Sequence, residues 1–71
     1  MKKIHPIRRM RGELKMSIGE LAETLGVTRQ AVAKWERRRA HPKPMMAAAI
    51  CRMARDRGYP MDLETVYEVT V

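Results

Sequence analysis

Arg29, Gln30, Ala33 and Lys34 lie within six consecutive positions, and their side-chain types suit one kind of chemistry. A guanidinium carries paired N–H donors that match O6 and N7 of guanine. A carboxamide carries a donor and an acceptor that match N7 and N6 of adenine, and an alanine methyl can touch that of thymine. Thr28 before them and Arg37, Arg38, Arg39 and Lys43 after them are types that hold phosphate oxygens. Together these residues offer non-covalent recognition of a polyanion whose bases have readable edges. Catalysis is not expected. Neither His5 nor His41 has an acid or nucleophile at a meaningful spacing in sequence, and the chain has no phosphate-binding glycine loop.

Such side chains read a groove only when a rigid element presents them, and the surrounding pattern supplies one. Ile18, Leu21, Ala22 and Leu25 recur at helical spacing after Ser17, a suitable N-cap. Gly26 falls where a left-handed turn residue is needed. Val27 then points back to the core, and Thr28 caps a second helix with Ala31, Val32 and Trp35 on its apolar face. Arg29, Gln30, Ala33 and Lys34 project from the opposite face. Two helices this short, joined through so brief a connection, must cross steeply, and the small Ala22 permits their close approach. A stacking platform for bases is conceivable at Trp35, but its spacing with Val32 makes it a core residue.

On Leu21-Ala22, Gly26-Val27-Thr28, Val32 and Trp35-Glu36, the segment resembles the helix-turn-helix of Cro/C1-type (Xre-like) phage and bacterial transcription regulators. The pattern can be laid on the chain from about residue 7 to about residue 54. The resemblance implies a mainly α fold of four to five short helices, lambda repressor-like or Cro-type, with Arg29, Gln30 and Lys34 at positions that contact bases in relatives. It also implies a partly buried ion pair between Arg11 and Glu36, tying the first helix to the end of the third. The chain departs from the pattern twice. Ile18 stands where many members carry a glutamine that contacts the DNA backbone, so that contact is not carried over. Arg37-Arg38-Arg39 follows Trp35-Glu36 where the family often has glycine, so either the helix runs on for another turn or the loop is remodelled as a phosphate-binding arm.

Composition agrees with a polyanionic partner. Seventy-one residues make one small domain with a marginal core, and the formal charge of +7 with a pI near 10.3 favours nucleic acid or an anionic membrane surface. Residues 1–59 hold all 15 Lys and Arg against five acids, whereas residues 60–71 hold three acids and no Lys or Arg. An acidic tail is expected to face away from nucleic acid. The lone Cys51 excludes an intramolecular disulfide and a cysteine-rich zinc site, and reads as a core thiol, so no metal or other cofactor is expected. No apolar run is long enough to span a membrane and the N-terminus lacks a signal-type apolar stretch, so a cytoplasmic protein is expected.

The flanks complete the reading. Met1 to His5 forms a short basic arm. Pro6 suits a first helical turn, and Ile7, Met10, Arg11 and Leu14 share a face through to about Lys15. His41-Pro42-Lys43-Pro44 breaks the pattern. From Pro44 to about Arg57 a further helix carries a stripe of Met45, Met46, Ala49, Ile50 and Met53, stopped by Gly58. Asp62-Leu63-Glu64-Thr65 suits a short fifth helix, yet Val66, Tyr67, Val69 and Val71 are dense in strand-forming types, which favours a C-terminal β-strand. Paired across a dyad, as in some Cro-type relatives, residues 60–71 would be the dimerisation segment.

The expectation is therefore a single helix-turn-helix domain over residues 1–71, a homodimeric, sequence-specific regulator of Cro-like repressor type on a near-palindromic double-stranded operator. No room remains for a ligand-sensing domain, so no small-molecule ligand is expected. Two other readings fit the charge: an antitoxin-like module whose acidic tail binds a partner protein, and a binder of nucleic acid or membrane surface without sequence preference.

Overall fold

The computed structural model describes residues 4–68 as five helices: α1 Pro6–Glu13, α2 Ile18–Leu25, α3 Arg29–Glu36, α4 Pro44–Asp56 and α5 Leu63–Val66. Each start has a local cause. His5 caps α1 by accepting the Ile7 N–H on Nδ1 at 3.0 Å. Ser17 and Glu20 form a reciprocal capping box at α2, each side chain accepting the other's backbone N–H at 3.0 Å. Asp62 accepts the Thr65 N–H at 2.8 Å to open α5. α4 has no side-chain cap, but Pro44 at its first position lacks the N–H that would need one.

One core joins all five helices. Ile7 and Met10 from α1, Leu21 and Ala22 from α2, Val32 and Trp35 from α3, four residues of α4 and Val66 from α5 are buried in it, with Met16 and Met61 from the connections. α2 packs most extensively on α3. α1 braces α3 from another side, and α5 closes the bundle against α1 and α4. Cys51 lies in this core, where burial pushes its thiol pKa up, away from the reactive thiolate.

Two expectations for the second half of the chain are corrected. The buried stripe of α4 is Ala47, Ile50, Cys51 and Ala54, whereas Met45 is 89% exposed, Ala49 is exposed, and Met46 and Met53 are half-buried. The run from Met45 to Cys51 is apolar all round, so periodicity does not choose a face. Alanines at 47 and 54 allow the closer approach. The strand expected from Thr65 is also replaced: residues 63–66 are helical, Asp62 supplies the cap, and Val66 is fully buried within the protomer. Tyr67 is half-buried and its hydroxyl donates to the Pro42 carbonyl at 2.7 Å. Of the residues assigned to dimerisation, Val66 and Tyr67 are thus engaged inside the protomer, and Val69 and Val71 lie outside the described residues.

Candidate nucleic-acid interface

The turn between α2 and α3 is built by its own residues. Gly26 takes the left-handed conformation, φ 73° and ψ 32°, which glycine adopts without the clash a Cβ would bring. The Val27 N–H then reaches back to the Ala22 carbonyl at 2.9 Å, closing α2. Thr28, in extended conformation, accepts the Ala31 N–H on its hydroxyl at 3.2 Å and starts α3. Ala22, 3% exposed, is buried in the core on α2, the helix that packs on α3.

α3 is sorted by the core beneath it. Val32 and Trp35 are buried and Ala31 is half-buried; Arg29, Gln30 and Lys34 are exposed, and Ala33 is half-buried beside them. Thr28 is exposed at the same end of the helix. The three polar side chains therefore stand on one outward edge of a helix capped at its start and anchored by a tryptophan.

The far end of α3 is held by charge. Arg11 donates from Nε to Glu36 Oε2 at 2.9 Å and from Nη2 to Oε1 at 3.1 Å, and its Nη1 donates to the Met16 carbonyl at 3.1 Å. The fork is planar and bidentate, with the Glu36 side chain only 7% exposed, so it fixes both helices in register. It also raises the Arg11 pKa, the hydrogen bonds to Glu36 favouring the charged form.

After Glu36 the chain turns at once, so the alternative of a longer α3 is excluded. Arg38 takes φ +59°, and the Arg39 N–H bonds to the Lys34 carbonyl at 2.9 Å. Arg37, Arg38, Arg39 and Lys43 are exposed along this loop. An open groove runs beside the three arginines, lined also by Arg8, His5 and Glu68. Arg38 is bound to the last described acid: its Nε and Nη2 donate to the two oxygens of Glu68 at 2.8 and 2.7 Å. That fork, the largest influence on Glu68, holds the carboxyl below the usual carboxylate range. One acid of the C-terminal tail, Glu68, thus returns to the arginine loop.

His5, expected at the end of the basic arm and without an acid at a meaningful spacing, is packed against one in the fold. It is 2% exposed, and its Nε2 lies 3.5 Å from Glu68 Oε1. Burial, the largest influence, lowers its pKa. Sequence spacing carries no signal for a contact made across so many residues. Lys2 and Lys3 lie outside the described residues. Among the described residues no cluster of three or more His, Cys, Asp or Glu is placed to hold a metal ion, and no helix is long and apolar enough to cross a membrane.

A family model described as helix-turn-helix matches residues 7–53, which takes in α1 to α3 and most of α4. No curated protein and no solved structure matches the chain. The matched span covers the Gly26 turn, the anchored α3 and the Arg11–Glu36 brace, and it exceeds half of the chain: the protein belongs to the Cro/C1-type helix-turn-helix family of DNA-binding transcription regulators.

Proposed function

We propose that the protein is a sequence-specific repressor of Cro type, which binds a near-palindromic operator as a homodimer and acts by occupancy. α3 enters the major groove with Arg29, Gln30, Ala33 and Lys34 toward base edges, while α2 crosses the backbone. Thr28, the N–H groups at the start of α3, and Arg37, Arg38, Arg39 and Lys43 hold phosphates and set the register without choosing a sequence. The observation that carries this reading is the outward edge of α3, where Arg29, Gln30 and Lys34 are exposed while Val32 and Trp35 are buried.

Size supports a dimer. The described protomer measures 31 Å in its longest extent, so two copies side by side suit half-sites spaced one turn of duplex, roughly 34 Å, apart. Residues 60–71 remain the proposed dyad contact, now through exposed positions such as Leu63, 47% exposed, rather than through Val66. Selection of bound duplexes from a random pool at near-physiological salt tests the whole reading. A palindromic consensus is expected; recovered duplexes with no shared sequence would refute it.

A further inference from the structure

Gly19 and Arg29 meet across the turn. Gly19 is the second residue of α2 and Arg29 the first of α3. A methyl group placed on Gly19 would stand 2.9 Å from both Nε and Nη2 of Arg29 and 3.1 Å from its Cζ, inside ordinary contact distance of about 3.5 Å. The guanidinium thus fills the space that any side chain at position 19 would need. It turns its Nε–Nη2 edge to α2 and leaves the Nη1 side facing away.

Backbone conformation does not account for this glycine. Gly26 and Gly58 have positive φ and nothing near a built Cβ, whereas Gly19 lies inside a helix, where glycine is a poor choice. What its bare backbone provides is room. Side chains on a helix lean toward its N-terminus, and Arg29, at the first position, has no earlier turn of its own helix to lean on. The seat on α2 replaces that support and restricts the arc through which a long, rotamer-rich side chain would otherwise sweep.

We propose that Gly19 is a specificity-positioning residue: by lacking a side chain it seats the Arg29 guanidinium on the first turn of α2 and so fixes its line of entry toward the base it reads. The inference rests on Arg29 contacting a base. Pre-ordering of that kind lowers the entropic cost of making a bidentate pair and therefore sharpens discrimination at one base pair.

The test is a mutant cycle on the full chain, with Gly19→Ala, Arg29→Ala and the double variant. Each is measured against the selected duplex and its single base-pair variants, alongside thermal melting. Gly19→Ala is expected to melt no lower than the parent, since alanine favours the helix and only the end of a flexible side chain must move. It should lose about tenfold of its preference at the base pair to which Arg29→Ala is sensitive, and the double variant should be no worse than Arg29→Ala alone. Parental preference in Gly19→Ala, a uniform loss across all duplexes, or additive effects in the double variant would each overturn the proposal. If Arg29→Ala itself leaves every preference unchanged, the base-reading assignment of Arg29 fails and the seat with it; a sensitive Arg29→Ala beside a silent Gly19→Ala defeats the seat alone.

Discussion

Arg11 and Glu36, on α1 and α3, are joined by two hydrogen bonds of 2.9 and 3.1 Å, and the third guanidinium nitrogen is taken by the Met16 carbonyl. Little of either side chain reaches solvent. Removing one partner leaves the other partly buried without its counter-charge, a more costly outcome than losing the pair together. Glu36→Ala should therefore destabilise by about 2–3 kcal/mol in urea unfolding. The double change Arg11→Met with Glu36→Leu should recover much of that loss. Equal destabilisation by the single and double changes would mean that the fork contributes packing rather than charge pairing.

His5 ties acid sensitivity to the start of α1. Its Nδ1 must stay unprotonated to accept the Ile7 N–H, and burial lowers its pKa below the ordinary imidazole value of about 6.5. The folded state then binds fewer protons than the unfolded state, so the contribution of His5 is fully present above pH 6.5 and declines as pH falls toward and through the folded value. The Glu68 carboxylate adds a second loss at lower pH, because its pKa is held below the carboxylate range and its pairing disappears on protonation. His5→Asn retains a capping side chain without a titrating ring. Urea midpoints of this variant should fall less than the parent's between pH 6.5 and 5; parallel curves would remove His5 as the cause.

The parts of this molecule that were legible in the sequence are those set by neighbours. Ser17, Gly26 and Thr28 fix the ends of α2 and α3 through hydrogen bonds spanning at most five residues, and burial of Val32 and Trp35 leaves Arg29, Gln30 and Lys34 outside. For the Arg11–Glu36 brace, the residues alone said that an arginine on an apolar face needs a partner, and the family resemblance named Glu36. Contacts that close only in three dimensions were not visible. Val66 and Tyr67 favour strand by type, yet burial against α1 and α4 and the Asp62 cap outweigh that preference. The Glu68 contacts to His5 and Arg38, and the seat of Arg29 on Gly19, depend on how distant segments fold back.

Arg38 holds a left-handed backbone, φ +59°, at a position where glycine would be unstrained. Its side chain is engaged with Glu68, so the two influences oppose one another. Arg38→Ala loses the fork and keeps the strained backbone; Arg38→Gly loses the fork and relaxes it. The glycine variant should melt a few degrees above the alanine variant. The reverse order would show that this turn is not strained.

Val66 and Leu63 separate folding from association. Val66 is fully buried in the protomer, and Val66→Ala should cost about 2 kcal/mol of stability at any protein concentration. Leu63, 47% exposed on the same short helix, contributes less to the fold. In sedimentation, Leu63→Glu should shift the proposed dimer toward monomer while leaving the unfolding midpoint of the monomer close to the parent's. An unchanged dimer in that variant would remove α5 from the dyad contact.

Glu68 also bears on DNA affinity, because a phosphate and the Glu68 carboxylate present similar oxygens to the Arg38 fork. If Arg38 holds a phosphate as proposed, that phosphate replaces the carboxylate, whose negative charge opposes the exchange. Glu68→Gln should therefore bind all duplexes more tightly at low salt and steepen the fall of log K with log salt by up to about 0.9, the slope for one further unit of phosphate charge neutralised, because a negative charge beside the contact is removed. Gln30→Ala should do neither: it should relax the preference at one base pair and leave the slope unchanged. The contrast distinguishes a residue that positions the protein from one that reads sequence. If Glu68→Gln altered the ranking of duplexes rather than their common affinity, Arg38 would have to be moved from the phosphate-holding set to the base-reading set.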